Sequence, residues 1–261
     1  MRELTPIRPV PPIRRDMDIM ANRLPSTTAL AGETIGLQFE DGATLSMAFA
    51  PTHIRWRGLG LDGRHLSGEG DYDAVEMRPG IFFVDHVLAD GSMAFSHVID
   101  RERGRALTVW NELVDAGGSP DLRELLRPAR VLGHPAPGAA IEATRELLGK
   151  RLFCEYSRVA ALEHIYVNSA TIVWQWLLGP PELVQEVGIE AVTMWKIRDR
   201  LYLISTRGNE PIQLTLLLDL ERMRNVGRLF GRSQFGLVNR RCGAKITYLG
   251  DFAYPKGYQP G

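Results

Sequence analysis

Residues 44–49 read Thr44-Leu45-Ser46-Met47-Ala48-Phe49, with large apolar side chains at every second position and small or polar ones between. A period of two puts Leu45, Met47 and Phe49 on one face of an extended chain, the pattern of a strand covering a core on one side. Upstream, Ile35, Leu37 and Phe39 repeat it; downstream, Ile54 and Trp56 alternate with His53, Arg55 and Arg57. Gly80-Ile81-Phe82-Phe83-Val84 is apolar throughout and reads as a strand buried on both faces. Asp41-Gly42, Asp62-Gly63, Pro79-Gly80, Asp90-Gly91 and Arg103-Gly104 supply the left-handed backbone positions of hairpin turns. From Thr34 onward the chain therefore reads as an antiparallel meander, all-β in class.

Residues 1–28 form a leader containing proline and arginine, loosely ordered and without the apolar centre of a signal peptide. A first β half spans 29–114. Composition then shifts to Ala, Gly and Pro over 115–143, which reads as a linker with one short helix over Asp121–Leu126, capped by Ser119. A second half spans 144–254, and 255–261 is a tail.

The 31 basic residues balance 31 acidic ones, so no net field draws the chain to nucleic acid or to an anionic membrane. No stretch approaches the roughly 20 apolar residues of a membrane span. The cysteines, Cys154 and Cys242, have no metal or redox spacing and suit a reducing cytoplasm. The six histidines are scattered, so no metal site is expected. The arginines of 222–241, interleaved with Phe230 and Phe235, read as a solvated loop or a subunit contact; a homodimer is the assembly left open.

An internal repeat runs at a spacing of about 117–120 residues, too long for a solenoid and apt for a duplicated half. Leu30-Ala31-Gly32 answers Leu147-Leu148-Gly149, Phe39 answers Tyr156, and Trp56 answers Trp174. Ala74–Met77 answers Ala191–Met194, Phe82-Phe83-Val84 answers Tyr202-Leu203-Ile204, and Val98-Ile99-Asp100 answers Leu217-Leu218-Asp219. Corresponding strands should point corresponding residues the same way. The first half's inward sets then place Leu152, Cys154 and Tyr156, then Leu162, His164 and Tyr166, then Ile172, Trp174 and Trp176 inside the second half. His164 and Tyr166 stand where the first half has Met47 and Phe49.

The segments from Leu30-Ala31-Gly32-Glu33 to Asp41-Gly42 and from Met77-Arg78-Pro79-Gly80 to Asp85-His86 resemble the N-terminal domain of the MoaF family. Leu148-Gly149-Lys150-Arg151, Glu163-His164-Ile165-Tyr166-Val167-Asn168, Trp174 and Arg228-Leu229-Phe230-Gly231 resemble its C-terminal domain. The resemblance implies two homologous lipocalin-like, calycin-type antiparallel β-barrel halves. The family name refers to molybdenum cofactor biosynthesis, yet no glycine-rich phosphate loop, arginine cluster or thiol ligand set for molybdopterin is present.

Burying an imidazole and two phenols costs a few kcal/mol unless each is hydrogen-bonded, so a core built for stability alone would keep apolar residues there. The candidate acid/base groups are His164, Tyr166, Tyr156 and Glu163. Strict alternation turns Glu163 to the opposite face, and the resemblance gives it weight. The groups that would hold a substrate are Trp174, Trp176, Cys154, Met194 and Asn168. A secondary set, Glu76, Arg78, Asp85 and His86, with His97 on a neighbouring strand, would make either a carboxylate–histidine pair or a salt-bridged rim. Lys196 falls on the Val192/Met194 face and would be a desolvated amine for Schiff-base chemistry, or, as is usual at a strand end, a solvated one.

Three functions fit. One is a cofactor-independent enzyme, a lyase, isomerase, hydratase or cyclase, acting on a small aromatic or unsaturated carbonyl or carboxylic compound. Phenolic acid decarboxylases use a comparable barrel without metal, an analogy of architecture alone. The second is a lipocalin-like carrier of a small apolar molecule, and the third is an accessory protein as the family name suggests. On each reading no cofactor is expected, and the second half carries the function.

Overall fold

Glycines at the hairpin corners decide where the chain reverses. Gly42, Gly80, Gly91 and Gly104 have φ of 84°, 72°, 70° and 61°, a region that only glycine enters without strain. The computed structural model describes residues 17–257 apart from 60–64, 136, 182, 185 and 209. The Asp62-Gly63 turn lies outside the described residues.

Seventeen strands and no helix are found among the described residues. The first eight are β1 (Thr34–Phe39), β2 (Thr44–Phe49), β3 (His53–Leu59), β4 (His65–Arg78), β5 (Ile81–Val87), β6 (Met93–Asp100), β7 (Arg105–Asp115) and β8 (Pro120–Val131). Each pairs antiparallel with the next and β8 returns to β1, closing a barrel. A two-residue strand, β9 (Glu142–Ala143), pairs with β13 at Trp195 and Lys196. The second barrel follows with β10 (Lys150–Ser157), β11 (Ala160–Asn168), β12 (Thr171–Leu178), β13 (Val187–Arg198), β14 (Leu201–Arg207), β15 (Ile212–Asp219), β16 (Arg224–Ser233) and β17 (Gly236–Asp251). It closes in the same way, β10 on β17.

The stretch expected to be a linker therefore contains the strand that completes the first barrel. No helix forms over Asp121–Leu126; β8 pairs with β7 from Asp115↔Pro120 to Arg105↔Arg130 and with β1 at Leu37↔Val131. Without it the sheet would keep two open edges, and this pairing outweighs the local helical preference.

Register confirms the duplication residue by residue. Met47, Trp56 and Gly68 lie opposite one another across β2, β3 and β4, and His164, Trp174 and Gly188 do so across β11, β12 and β13. Each tryptophan lies on its glycine: a Cβ at Gly68 would come 2.9 Å from the Trp56 ring, and one at Gly188 closer still to Trp174. One match is corrected. Ala74 opposes Val84 and Met194 opposes Ile204, so Met194 is the counterpart of Ala74 and the expected alignment of Ala74–Met77 is three residues out. An odd slip would equate Val75, which faces the other barrel, with Val192, which faces an interior.

Three cores result. One fills the first barrel around Leu37, Met47, Phe95 and Trp110; a second fills the other around Cys154, Tyr166, Trp176 and Met194. The third lies between them, where Met77, Ile81, Phe83, Val98 and Leu107 meet their own counterparts Ile197, Leu201, Leu203, Leu217 and Val226. The halves thus face each other through the same surface, as subunits do across a twofold axis.

The described part of the leader is also packed. Met17 and Ile19 are 4% and 2% exposed in the core of the second barrel, the Gly243 N–H donates to Ile19 O at 3.0 Å, and Asn22 N–H to Tyr156 O at 2.9 Å. Arg23 then pairs with buried Asp73 of the first barrel. The alternation of Met17 and Ile19 with Asp18 already had the period of a strand.

Candidate functional site

The inner wall of the second barrel follows from alternation. β10 turns Leu152, Cys154 and Tyr156 inward, β11 turns Leu162, His164 and Tyr166, and β12 turns Ile172 and Trp176, each under 9% exposed; Trp174 is partly buried against the same core. Met194 of β13 is 3% exposed within it. His164 and Tyr166 meet edge to face with ring centroids 6.5 Å apart. His164 Nδ1 and Tyr166 Oη are fully buried and neither has a hydrogen-bond partner. Burial pulls the His164 imidazole down to about 4, against the opposing effect of the Glu163 carboxylate, and pushes the Tyr166 phenol well above its ordinary range. At neutral pH this wall offers an uncharged imidazole and a protonated phenol.

Cys154 is tied to the wall rather than reactive. Asn225 Nδ2 donates to its Sγ at 3.7 Å while Asn225 Oδ1 accepts from Ala244 N–H at 2.9 Å, and burial pushes the Cys154 and Cys242 thiols up to about 12. Trp176 lies under the β12–β13 connection, whose Leu183 is 1% exposed in the same core. A group that sequence reasoning missed is Glu190. It opposes inward-facing Ile172 and so shares its face, and its Oε2 accepts from Thr206 Oγ1 at 2.5 Å. Its position after the exposed Ile189 was legible as an alternation, but the repeat alignment stopped short of it.

Several expected site residues are elsewhere. Glu163 is buried on the outer face, bonded to Arg151 and Gln175, and does not share the interior with His164. Asn168 caps the β11–β12 turn, its Oδ1 accepting Ala170 N–H at 2.9 Å. Glu76 does the same for Gly80 at 2.8 Å. Arg78 pairs across the halves with Asp219 at 2.7 Å. Asp85 and His86 do point to opposite faces: Asp85 pairs with Arg228 of the second barrel, so the carboxylate–histidine pair does not form, and His86 enters the first interior. Lys196 lies at the surface beside Glu146 at 2.5 Å.

Two surface concavities lie on the first half, one lined by Phe39, Arg105 and Arg130 and another by Arg55, Arg57 and Glu69. Neither includes His164, which is buried in the second interior.

Fold and site together define a duplicated protein of two eight-stranded antiparallel barrels, each with an apolar interior that carries a few uncharged polar groups. Models described as the MoaF N-terminal domain and the MoaF C-terminal domain match residues 18–115 and 141–252. The chain belongs to the MoaF family. It is 28% identical to Protein MoaF of Klebsiella aerogenes over 209 residues, 72% of this chain and 78% of that one. A crystal structure of a putative beta-lactamase from Burkholderia vietnamiensis aligns at a TM-score of 0.35 and 15% identity, over 41% of this chain and 100% of that one, too distant to bear on function.

The cofactor to which the family name refers carries phosphate and sulfur ligands, and these interiors do not match it. Arg228, the arginine in the buried set, faces the other barrel, both thiols are held protonated, and no group of three metal-ligating side chains occurs among the described residues. No helix among the described residues is long and apolar enough to cross a membrane.

Proposed function

We propose that the chain binds one small, uncharged, largely apolar molecule bearing a hydrogen-bonding oxygen, held in the second barrel. The observation that carries this reading is the pair of buried, unpartnered atoms His164 Nδ1 and Tyr166 Oη in an otherwise apolar aromatic interior. Each such atom costs about 1–3 kcal/mol when left unpaired. A ligand oxygen accepting from the phenol and meeting the imidazole offsets both costs, and Trp174, Trp176 and Met194 supply the apolar contact. An ionic ligand gains nothing from a wall of neutral groups and loses its hydration.

Native mass spectrometry of freshly purified protein, followed by titration with the uncharged aromatic lactone coumarin, tests the reading. Binding that is lost in His164→Gln and in Tyr166→Phe, with folding retained, supports it; undiminished binding in both contradicts it.

Acid/base catalysis on such a molecule is a second reading, favoured by the inward carboxylate of Glu190. An imidazole held near 4 is a weak base at neutral pH, which is why binding is preferred. Turnover of an aromatic carbonyl compound that vanishes in Glu190→Gln with binding intact would establish catalysis. The accessory role that the family name suggests is compatible with binding, and no residue of the fold favours it separately.

A further inference from the structure

On β1 and β2 the first barrel is apolar, with Leu37, Met47 and Phe49 inside, but its opposite wall is not. β5, β6 and β7 send His86, His97 and Thr108 inward, all at most 3% exposed. His86 Nε2 lies 3.2 Å from His97 Nε2, and His97 Nδ1 lies 3.0 Å from Thr108 Oγ1. One proton serves the two Nε2 atoms, so the chain has two arrangements. Either Thr108 donates to His97 and His97 to His86, or His86 donates to His97 and His97 to Thr108. Burial pulls His97 down to about 3 and His86 well below its usual range, so both rings are neutral.

Register places Phe95 between His86 and Trp110. The rings of His86, Phe95 and His97 lie within 20° of parallel at centroid distances of 4.7–6.3 Å, a rack of three stacked rings. Trp110 meets Phe95 edge-on at 5.2 Å and Trp56 lies 5.0 Å from it. Trp110 is 0% exposed, faces the interior, and its Nε1–H has no partner. Phenylalanine would fill that place without burying an unpaired donor. The counterparts of His86, Phe95, His97, Thr108 and Trp110 in the second barrel are Thr206, Leu214, Leu216, Gly227 and Leu229 by register. Of these only Thr206 is polar, so the histidine pair and the indole donor at these positions belong to the first barrel alone.

We propose that the first barrel is a second, separate binding site for a planar, uncharged aromatic molecule, which lies along the His86–Phe95–His97 rack and presents an acceptor oxygen to Trp110 Nε1. The site shares the ligand-cage reading given to the second barrel but uses none of its residues, so the two stand or fall separately. The expectation that only the second half carries function is set aside by it.

The test uses the full chain labelled with ¹⁵N, in which the five tryptophans give separate indole N–H resonances assigned by Trp→Phe variants. Coumarin, planar and uncharged with a carbonyl acceptor, is the probe. The Trp110 indole proton should move downfield saturably, and the shift should persist in the His164→Gln/Tyr166→Phe double variant. Calorimetry should read two coumarins per chain in the wild type and one each in Trp110→Phe and in the double variant. A Trp110 resonance unmoved up to the solubility limit of coumarin overturns the proposal, whether or not Trp174 and Trp176 respond. Movement of Trp110 with Trp174 and Trp176 silent upholds it and overturns the second-barrel reading instead. Should Trp110→Phe fail to fold, the wild-type resonance decides.

Discussion

Asp100 and Asp219 hold the same place in the two halves, at the ends of β6 and β15, and each accepts from two guanidinium nitrogens of an arginine from the other half. Arg198 Nε reaches Asp100 Oδ2 at 2.6 Å, and Arg78 Nε reaches Asp219 Oδ2 at 2.8 Å. The carboxylates are 1% and 0% exposed, so each depends on its arginine for charge balance. Duplication has turned what a dimer would make twice into two contacts within one chain.

Arg78→Gln and Arg198→Gln should each therefore destabilise the protein by about 3–5 kcal/mol, the cost of leaving a buried carboxylate unpaired. Urea unfolding of the two variants measures this. A loss under about 0.5 kcal/mol in either would show that the symmetric contact is not what joins the halves.

The two tryptophan–glycine pairs should respond unequally. Trp56 is 4% exposed and held by Phe95, so Gly68→Ala forces a rigid ring to move and should cost about 1–3 kcal/mol. Trp174 is only partly buried and can swing outward. Gly188→Ala should cost less, with a red shift in tryptophan emission. Equal costs with no spectral change would contradict the pairing seen in the register.

Acid should unfold the protein earlier than its carboxylates alone require. His86, His97 and His164 have folded values depressed below 6.5 by burial, so below pH 6.5 the unfolded chain binds protons that the folded chain does not. Their stabilising contribution is full above pH 6.5 and is lost as pH falls toward 4 and 3. Between pH 6 and pH 4 the loss should approach three protons, about 4 kcal/mol per pH unit. His164→Gln should remove about one proton from that slope, read from urea midpoints across pH; an unchanged slope would place His164 in contact with water.

The segment before the first barrel belongs to the second. Ile19→Ala should cost about 2–5 kcal/mol in thermal or urea unfolding, as for other buried Ile or Met truncations. A neutral effect would mean that 17–24 only rests on the surface.

Much of this was legible in the sequence, for physical reasons. Strands covered on one face alternate, so Leu45, Met47 and Phe49, and through the repeat His164 and Tyr166, could be turned inward without coordinates. β5 and β6 could not be read this way. They are buried on both faces, between an interior and the other barrel, so His86 and His97 carry no sign of which side they occupy. β8 was hidden because its pairing with β1 joins residues far apart in sequence and its composition resembles a linker. The pairs Arg198–Asp100 and Arg78–Asp219 span 98 and 141 residues, beyond any local pattern.

On the proposed reading the second barrel encloses a ligand held by His164 and Tyr166. The most direct measurement is a coumarin titration followed at the indole resonances of Trp174 and Trp176 in wild type, His164→Gln and Tyr166→Phe, with the unfolding midpoint of each protein recorded alongside. Saturable shifts in the wild type that disappear in both variants, while midpoints at pH 7 stay the same or rise, are the predicted result. Shifts that persist in both variants, or variants that unfold early and so reveal His164 and Tyr166 as structural, would contradict it.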